Sequence, residues 1–323
     1  MLTQEIWDDF LDIVEENNIL NNDIWDLTKL NSLLNFPHFK DEKQYIIKVL
    51  LEQGNLLANQ TKIPPNFFKK CNSLTNIVIP EGVTNIYSYT FYNCKNLTNT
   101  TIPDSVTSIG SRAFRGCESL KNIILPDTLI NIGDYAFDSC ISLTNIVIPS
   151  SVTSIGSYAF SECYSLTNIT IPSSVTSIGN DVFYKCKNLT SVVISEGVTS
   201  IGSCAFIYCE NLTSISLPST LTSIDSSIFY DCDKLTNIVI PESVTSIGSF
   251  AFRGCSSLTN IVIPEGVTHI SSDAFYNCDN LTIYCEASSK PDGWNEHWNS
   301  INRPVYWAGE WKYVNGVPTP IKK

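Results

Sequence analysis

Between residues 63 and 285 the apolar positions of this chain fall into one pattern that returns every 23 residues. Leu143, Ile146, Ile148, Val152, Ile155, Phe160 and Cys163 make one cycle of it. Leucine holds its site from Leu74 to Leu281, isoleucine from Ile86 to Ile270 and phenylalanine from Phe91 to Phe275. Ten cysteines, from Cys71, Cys94 and Cys117 on to Cys278, keep step without a slip. These sites lie too far apart for one helix face. A fixed period in the range of roughly 20–50 residues marks a solenoid, a propeller or an array.

Each cycle reads as a small set of elements. Ile146 and Ile148 alternate with outward Val147, as the inward residues of a strand do. Pro149 lacks a donor for the ladder and ends that strand. Val152 and Ile155 face inward from a second short extended piece. Gly156 permits a bend that a side chain would resist. Ser157-Tyr-Ala-Phe160 starts a single helical turn with Ser157 as cap, and Phe160 and Cys163 return to the core at helical spacing. One cycle cannot bury its own apolar face, so successive cycles stack and share a core.

The motif L-x-x-I-x-I-P-x-x-V-x-x-I-G-x-x-A-F-x-x-C resembles the BspA-like, or Treponema pallidum type, leucine-rich repeat family. The resemblance implies a leucine-rich repeat solenoid, and it specifies fold far better than function. It also implies a non-enzymatic interaction protein, since members are often surface-associated and some are adhesins for matrix proteins or host cells.

The ends depart from the repeat. Residues 1–55 read as a helical N-terminal cap, 56–285 as the solenoid and 286–323 as a tryptophan-rich C-terminal cap. Ile6, Phe10 and Ile13, with Trp7 and Val14, form a helical stripe that Asn17-Asn18 breaks. Asp23 is a cap for a second helix holding Ile24, Leu27, Leu30 and Leu34, which stops near Pro37. Asp41 with Gln44 resembles a capping box before Tyr45. Gly54 is a C-terminal stop. All six tryptophans lie outside the repeats, which suits the closing of open coil ends; a carbohydrate site is the sharper alternative for the last four. Asn315-Gly316 between Val314 and Val317 signals a hairpin.

Charge narrows the function classes. The net charge is −12, and residues 1–60 hold 11 acids against 4 lysines. No basic stripe is present, so nucleic acid is an unexpected partner. No apolar run reaches the length of a membrane span, and the first residues do not read as a signal peptide. Evenly spaced cysteines supply no zinc cluster and read as a ladder of buried free thiols, which favours a reducing compartment. No cofactor is expected. His38, His269 and His297 have no nucleophile at meaningful spacing, so an enzyme is not the reading.

Recognition then falls on the positions that vary. Two series in each cycle are rich in tyrosine and arginine, types enriched at binding hot spots. The first contributes Tyr89, Arg112, Tyr135, Tyr158 and Phe250; the second contributes Tyr92, Arg115, Tyr184, Tyr230, Arg253 and Tyr276. The bland alternative is that tyrosine simply covers the edge of the core. The threonine-rich sheet face and the acidic turn after the proline read as solvated surface. A binding protein of the adhesin type is expected, with a host or matrix protein, or a glycan, as partner. An intracellular scaffold with a cytosolic protein partner is the alternative. The localisation stays open between the cell surface and the cytoplasm.

Overall fold

The computed structural model describes residues 2–21, 24–54 and 56–321. The chain forms two compact units, Met1–Ser151 and Val152–Lys323.

The first unit opens with helix α1, Gln4–Glu16, which Thr3 caps by accepting from the Ile6 N–H. Phe10 and Val14 are its buried residues, and Asn18 leaves the helix at φ 50°. Ile24 is not helical: Ile24–Trp25 pairs antiparallel with Leu20–Asn21. Helix α2, Leu27–Leu33, is capped by Asp26, whose carboxylate accepts from the Thr28 and Lys29 amides. Asp23, the cap read from sequence, lies outside the described residues. Pro37 starts a short helix α3, Pro37–Lys40, instead of merely ending the one before it. Proline is well placed there because the first helical N–H needs no partner. Asp41 is the C-cap of α3 and already helical, so it cannot take the extended conformation of a capping box. Helix α4, Lys43–Glu52, therefore starts from Glu42 without a side-chain cap. Gly54 ends it with a φ of 83°.

The coils begin at Ile63, which bridges to Ile86 in parallel. In the first unit the short strands Asn85–Ile86, Ser108–Ile109 and Asn131–Ile132 pair in parallel, residue on residue 23 apart. Asn76–Val78 pairs with Asn99–Thr101 in the same way. The second unit repeats this with Ser154–Ile155, Ser177–Ile178 and Ser200–Ile201, and with Ser223–Ile224, Ser246–Ile247 and His269–Ile270. Its longer strands are Asn168–Ile171, Ser191–Ile194 and Ser214–Ser216, and then Asn260–Ile263 with Thr282–Cys285. A 23-residue parallel register is the geometric statement of a solenoid coil.

The predicted helical turn takes another form. In the first unit Thr90, Tyr92 and Cys94 donate to carbonyls three residues back. The alternating Tyr89, Phe91 and Asn93 donate instead to Ser111, Ala113 and Arg115 of the next coil. Every second N–H is drawn sideways, so no continuous helical ladder closes and the segment is a chain of tight turns.

Ladders of leucine, phenylalanine and cysteine fill the core within each unit. Phe68, Phe91, Phe114 and Phe137 stack with centroids 5.0–5.4 Å apart. Phe160, Phe183, Phe206, Phe229, Phe252 and Phe275 do the same at 5.4–5.8 Å. Within each unit ladder thiols donate to the phenylalanine carbonyl of the coil before, as Cys117 does to Phe91 and Cys209 to Phe183, both at 3.2 Å. The same carbonyl also accepts the amide of its own coil's cysteine. The repeat glycine serves a close approach: a Cβ on Gly179 would lie 2.5 Å from the Ser157 nitrogen.

The last coil is closed by aromatic bulk. Trp294 bridges to Ile270, is 2 % exposed and donates its indole N–H to the Val267 carbonyl at 2.9 Å. Trp298 stands edge-on to Phe275, 6.1 Å away. Trp311–Val314 and Val317–Pro320 form the expected hairpin, with Asn315 and Gly316 both at positive φ as a tight primed turn demands.

Candidate partner-binding face

The first variable series sits on one backbone feature that sequence reasoning missed. Tyr89, Arg112, Tyr135, Tyr158 and Phe250 all have a left-handed backbone, with φ between 57° and 60°. Asp181, Cys204, Ser227 and Asp273 at the same site share it. The residue before each ladder cysteine is left-handed too, as in Asn93, Gly116 and Tyr208. Left-handed backbone costs a side-chain-bearing residue roughly 1–2 kcal/mol, and glycine or asparagine least. Large aromatic side chains at these positions are therefore held there against local preference.

In the first unit the candidates meet as alternating rings and cations. Arg112 lies 5.5 Å from the Tyr89 ring and 4.4 Å from that of Tyr135. It also donates to the Tyr89 hydroxyl at 3.1 Å. Arg115 lies 5.9 Å from Tyr92 and 5.5 Å from Tyr135. Its Nε donates to Asp138 at 2.6 Å, which fixes the guanidinium plane. Lys69 begins the series, 5.4 Å from Tyr89 and 5.5 Å from Tyr92.

The second unit carries its own cluster. Tyr184, Tyr208 and Tyr230 pack edge to face at 6.0 and 5.7 Å. Arg253 lies 5.0–5.4 Å from Tyr230, Phe250 and Tyr276. Tyr158 hydrogen-bonds Asp181; burial pushes that carboxyl up, and the Tyr158 bond pulls it partly back.

All eleven candidate residues are half-buried rather than freely exposed. Two partners were missed: Lys69 is the second series extended one cycle back, and Tyr208 stands at the second left-handed site. Asp138 belongs to the second variable series as its acidic member. Counting variable positions through the incomplete first cycle would have found Lys69.

Some polar groups of the competing surfaces are used by the fold itself. Thr98, Thr190 and Thr213 hydroxyls donate to carbonyls of the preceding coil, so the threonine face serves coil stacking. Glu196 accepts from the Ser219 amide and hydroxyl. Among the described residues no helix is long and apolar enough to cross a membrane.

Parallel coils of 23 residues with a leucine, phenylalanine and cysteine ladder define a leucine-rich repeat solenoid. The family model of the BspA type leucine-rich repeat region matches residues 61–190 and 176–290, and the chain belongs to that family. Solved structures similar to it include the leucine-rich repeat protein of T. pallidum, 33% identical over 58% of this chain and 79% of that one, with a TM-score of 0.44. A leucine-rich cell surface protein of Faecalibacterium prausnitzii is 29% identical over 74% of this chain and 85% of that one, with a TM-score of 0.37. A leucine-rich repeat protein of Eubacterium ventriosum is 23% identical over 71% and 78%, with a TM-score of 0.45. No curated protein matches the chain.

Proposed function

We propose that this chain is a non-enzymatic binding protein that engages a protein partner through the tyrosine–arginine face of its turns, and that it works as a surface-associated adhesin. Residues 1–55 and 286–323 act as caps for the coils between them. The observation that carries the reading is the row of large side chains on left-handed backbone. Asparagine or glycine would sit there at less cost, so the side chains are retained for what they present. Tyrosine and arginine present rigid rings and planar cations, the chemistry of interface anchors. The interlocked cations are partly desolvated and pre-oriented, which lowers the ordering cost of binding.

Burial, with the neighbouring Cys94 adding to it, pushes the Cys117 thiol up and keeps it unreactive, which makes a ladder of free thiols compatible with a place at the cell surface. The test is binding of the purified chain to immobilised fibronectin and collagen. Saturable binding is expected, weakened about tenfold or more by Arg112→Ala with Tyr135→Ala. Thr98→Ala with Thr144→Ala on the sheet face should leave it unchanged. Equal loss from both pairs, or loss from the threonine pair alone, would overturn the reading.

A further inference from the structure

Lys43 is the one buried lysine among the described residues, 8 % exposed in a chain whose first 60 residues carry 11 acids. Its ammonium donates to Asn31 Oδ1 at 3.1 Å and to the Asn66 carbonyl at 3.4 Å. Both acceptors are neutral. Three protons on the ammonium leave one donor over. Burial pushes the Lys43 pKa down; Cys71 pulls it partly back, and the neighbouring Lys69 adds to the push.

The side chain stands at the wall of a cleft of about 590 Å³, between α2, α4 and the first coil. Lys40, Lys69 and Lys70 line the same cleft, and Asp41 is the one carboxylate in its lining among the described residues. None of the four lysines is ion-paired among the described residues, whereas Lys95 and Lys48 elsewhere in this unit are paired with Glu118 and Glu52. An acidic protein that gathers four unpaired ammoniums in one concavity, one of them desolvated, has left an electrostatic cost that an anion would remove.

The donors select the kind of anion. A guanidinium fork suits a planar carboxylate, and no arginine lines this cleft. Ammonium groups act as compact point charges that can converge on a tetrahedral oxyanion from several sides. The cleft has the volume of a small-molecule site, far more than an inorganic ion fills. We propose that it binds a phosphate or sulfate monoester, with the oxyanion held by Lys43, Lys40, Lys69 and Lys70 and the organic remainder in the rest of the cleft. This site shares Lys69 with the tyrosine–arginine face, where its ammonium also lies 5.4 Å from the Tyr89 ring, but does not rest on that reading.

The test is calorimetric titration of the full chain, at low salt and neutral pH, with O-phosphoserine, tyrosine O-sulfate, inorganic phosphate and acetate. Saturable binding of at least one ester at a single site is expected, tighter than phosphate, with acetate weakest. Whichever ester binds more tightly names the source of the oxyanion. Lys43→Met should weaken binding about tenfold or more. Lys95→Gln should leave it unchanged. Should Lys43→Met fail to fold, the exposed pair Lys40→Gln and Lys70→Gln carries the same expectation. No saturable binding, acetate equal to the esters, or affinity indifferent to these lysines would each overturn the proposal.

Discussion

Cys204 and the ladder cysteines differ in what surrounds the sulfur. Cys204 is half-exposed at a left-handed turn position, while Cys117, Cys140 and Cys209 are wholly buried and donate to a carbonyl. Burial pushes every ladder thiol with a resolved shift up, to about 12 for Cys71 and Cys278. Iodoacetamide at mildly alkaline pH should therefore label Cys204 first, and label the ladder only on unfolding. Mass spectrometry of the labelled peptides checks this. Ladder labelling at the Cys204 rate would contradict it. The same shifts set a pH dependence. Above the ordinary thiol range, roughly pH 8.5, the unfolded chain loses thiol protons while the folded chain keeps them. Stability is thus fully present below that range and falls as pH rises through it toward about 12, where Cys71 and Cys278 ionise in the fold as well. Urea melts between pH 8 and 11 should show the decline. The thiol ladder was legible in the spacing of the cysteines, but its hydrogen bond to phenylalanine was not. Donor and acceptor lie 26 residues apart and meet only once a coil has been laid on its neighbour.

At the scale of elements, the strands were legible and the turn was not. L-x-x-I-x-I and proline mark the first strand from local chemistry alone. Ser-Tyr-Ala-Phe offers helical spacing, yet the neighbouring coil competes for alternate amides and prevents the helix. The repeat glycine was read as a bend, and its role is clearance. Ala at 179 would bring Cβ within 2.5 Å of the Ser157 nitrogen and 2.7 Å of the Gly156 carbonyl carbon, both backbone atoms that cannot rotate away. Gly179→Ala should cost about 1–3 kcal/mol in a denaturant titration. A cost near the few tenths of an exposed site would show that the coils can part freely there. In the N-terminal helices the cap read at Asp41 fails for a backbone reason. Asp41 carries a capping side chain but is already helical, whereas Asp26 has an extended backbone and reachable amides.

At the scale of the whole molecule, invariant positions and variable ones do different work. The leucine, phenylalanine and cysteine ladders stabilise each coil through its neighbours, so the stability of each unit is close to a sum of local terms. The tyrosine and arginine positions add cation–π contacts, each about 0.5–1 kcal/mol at a partly exposed site, and cost a similar amount in left-handed backbone. The sequence showed which positions vary and which residue types fill them. It could not show that the first series is left-handed, because φ depends on hydrogen bonds to the next coil. That hidden cost separates a surface kept for recognition from one kept for packing. The direct measurement is the unfolding free energy of the double variant Tyr89→Asn with Tyr135→Asn, by urea titration against the parent chain. If the face is kept for recognition, the lost ring contacts and the relieved backbone offset one another, and stability stays within about 1 kcal/mol of the parent. A loss of several kcal/mol would mean that these rings hold the fold together, and the binding face would have to be sought elsewhere.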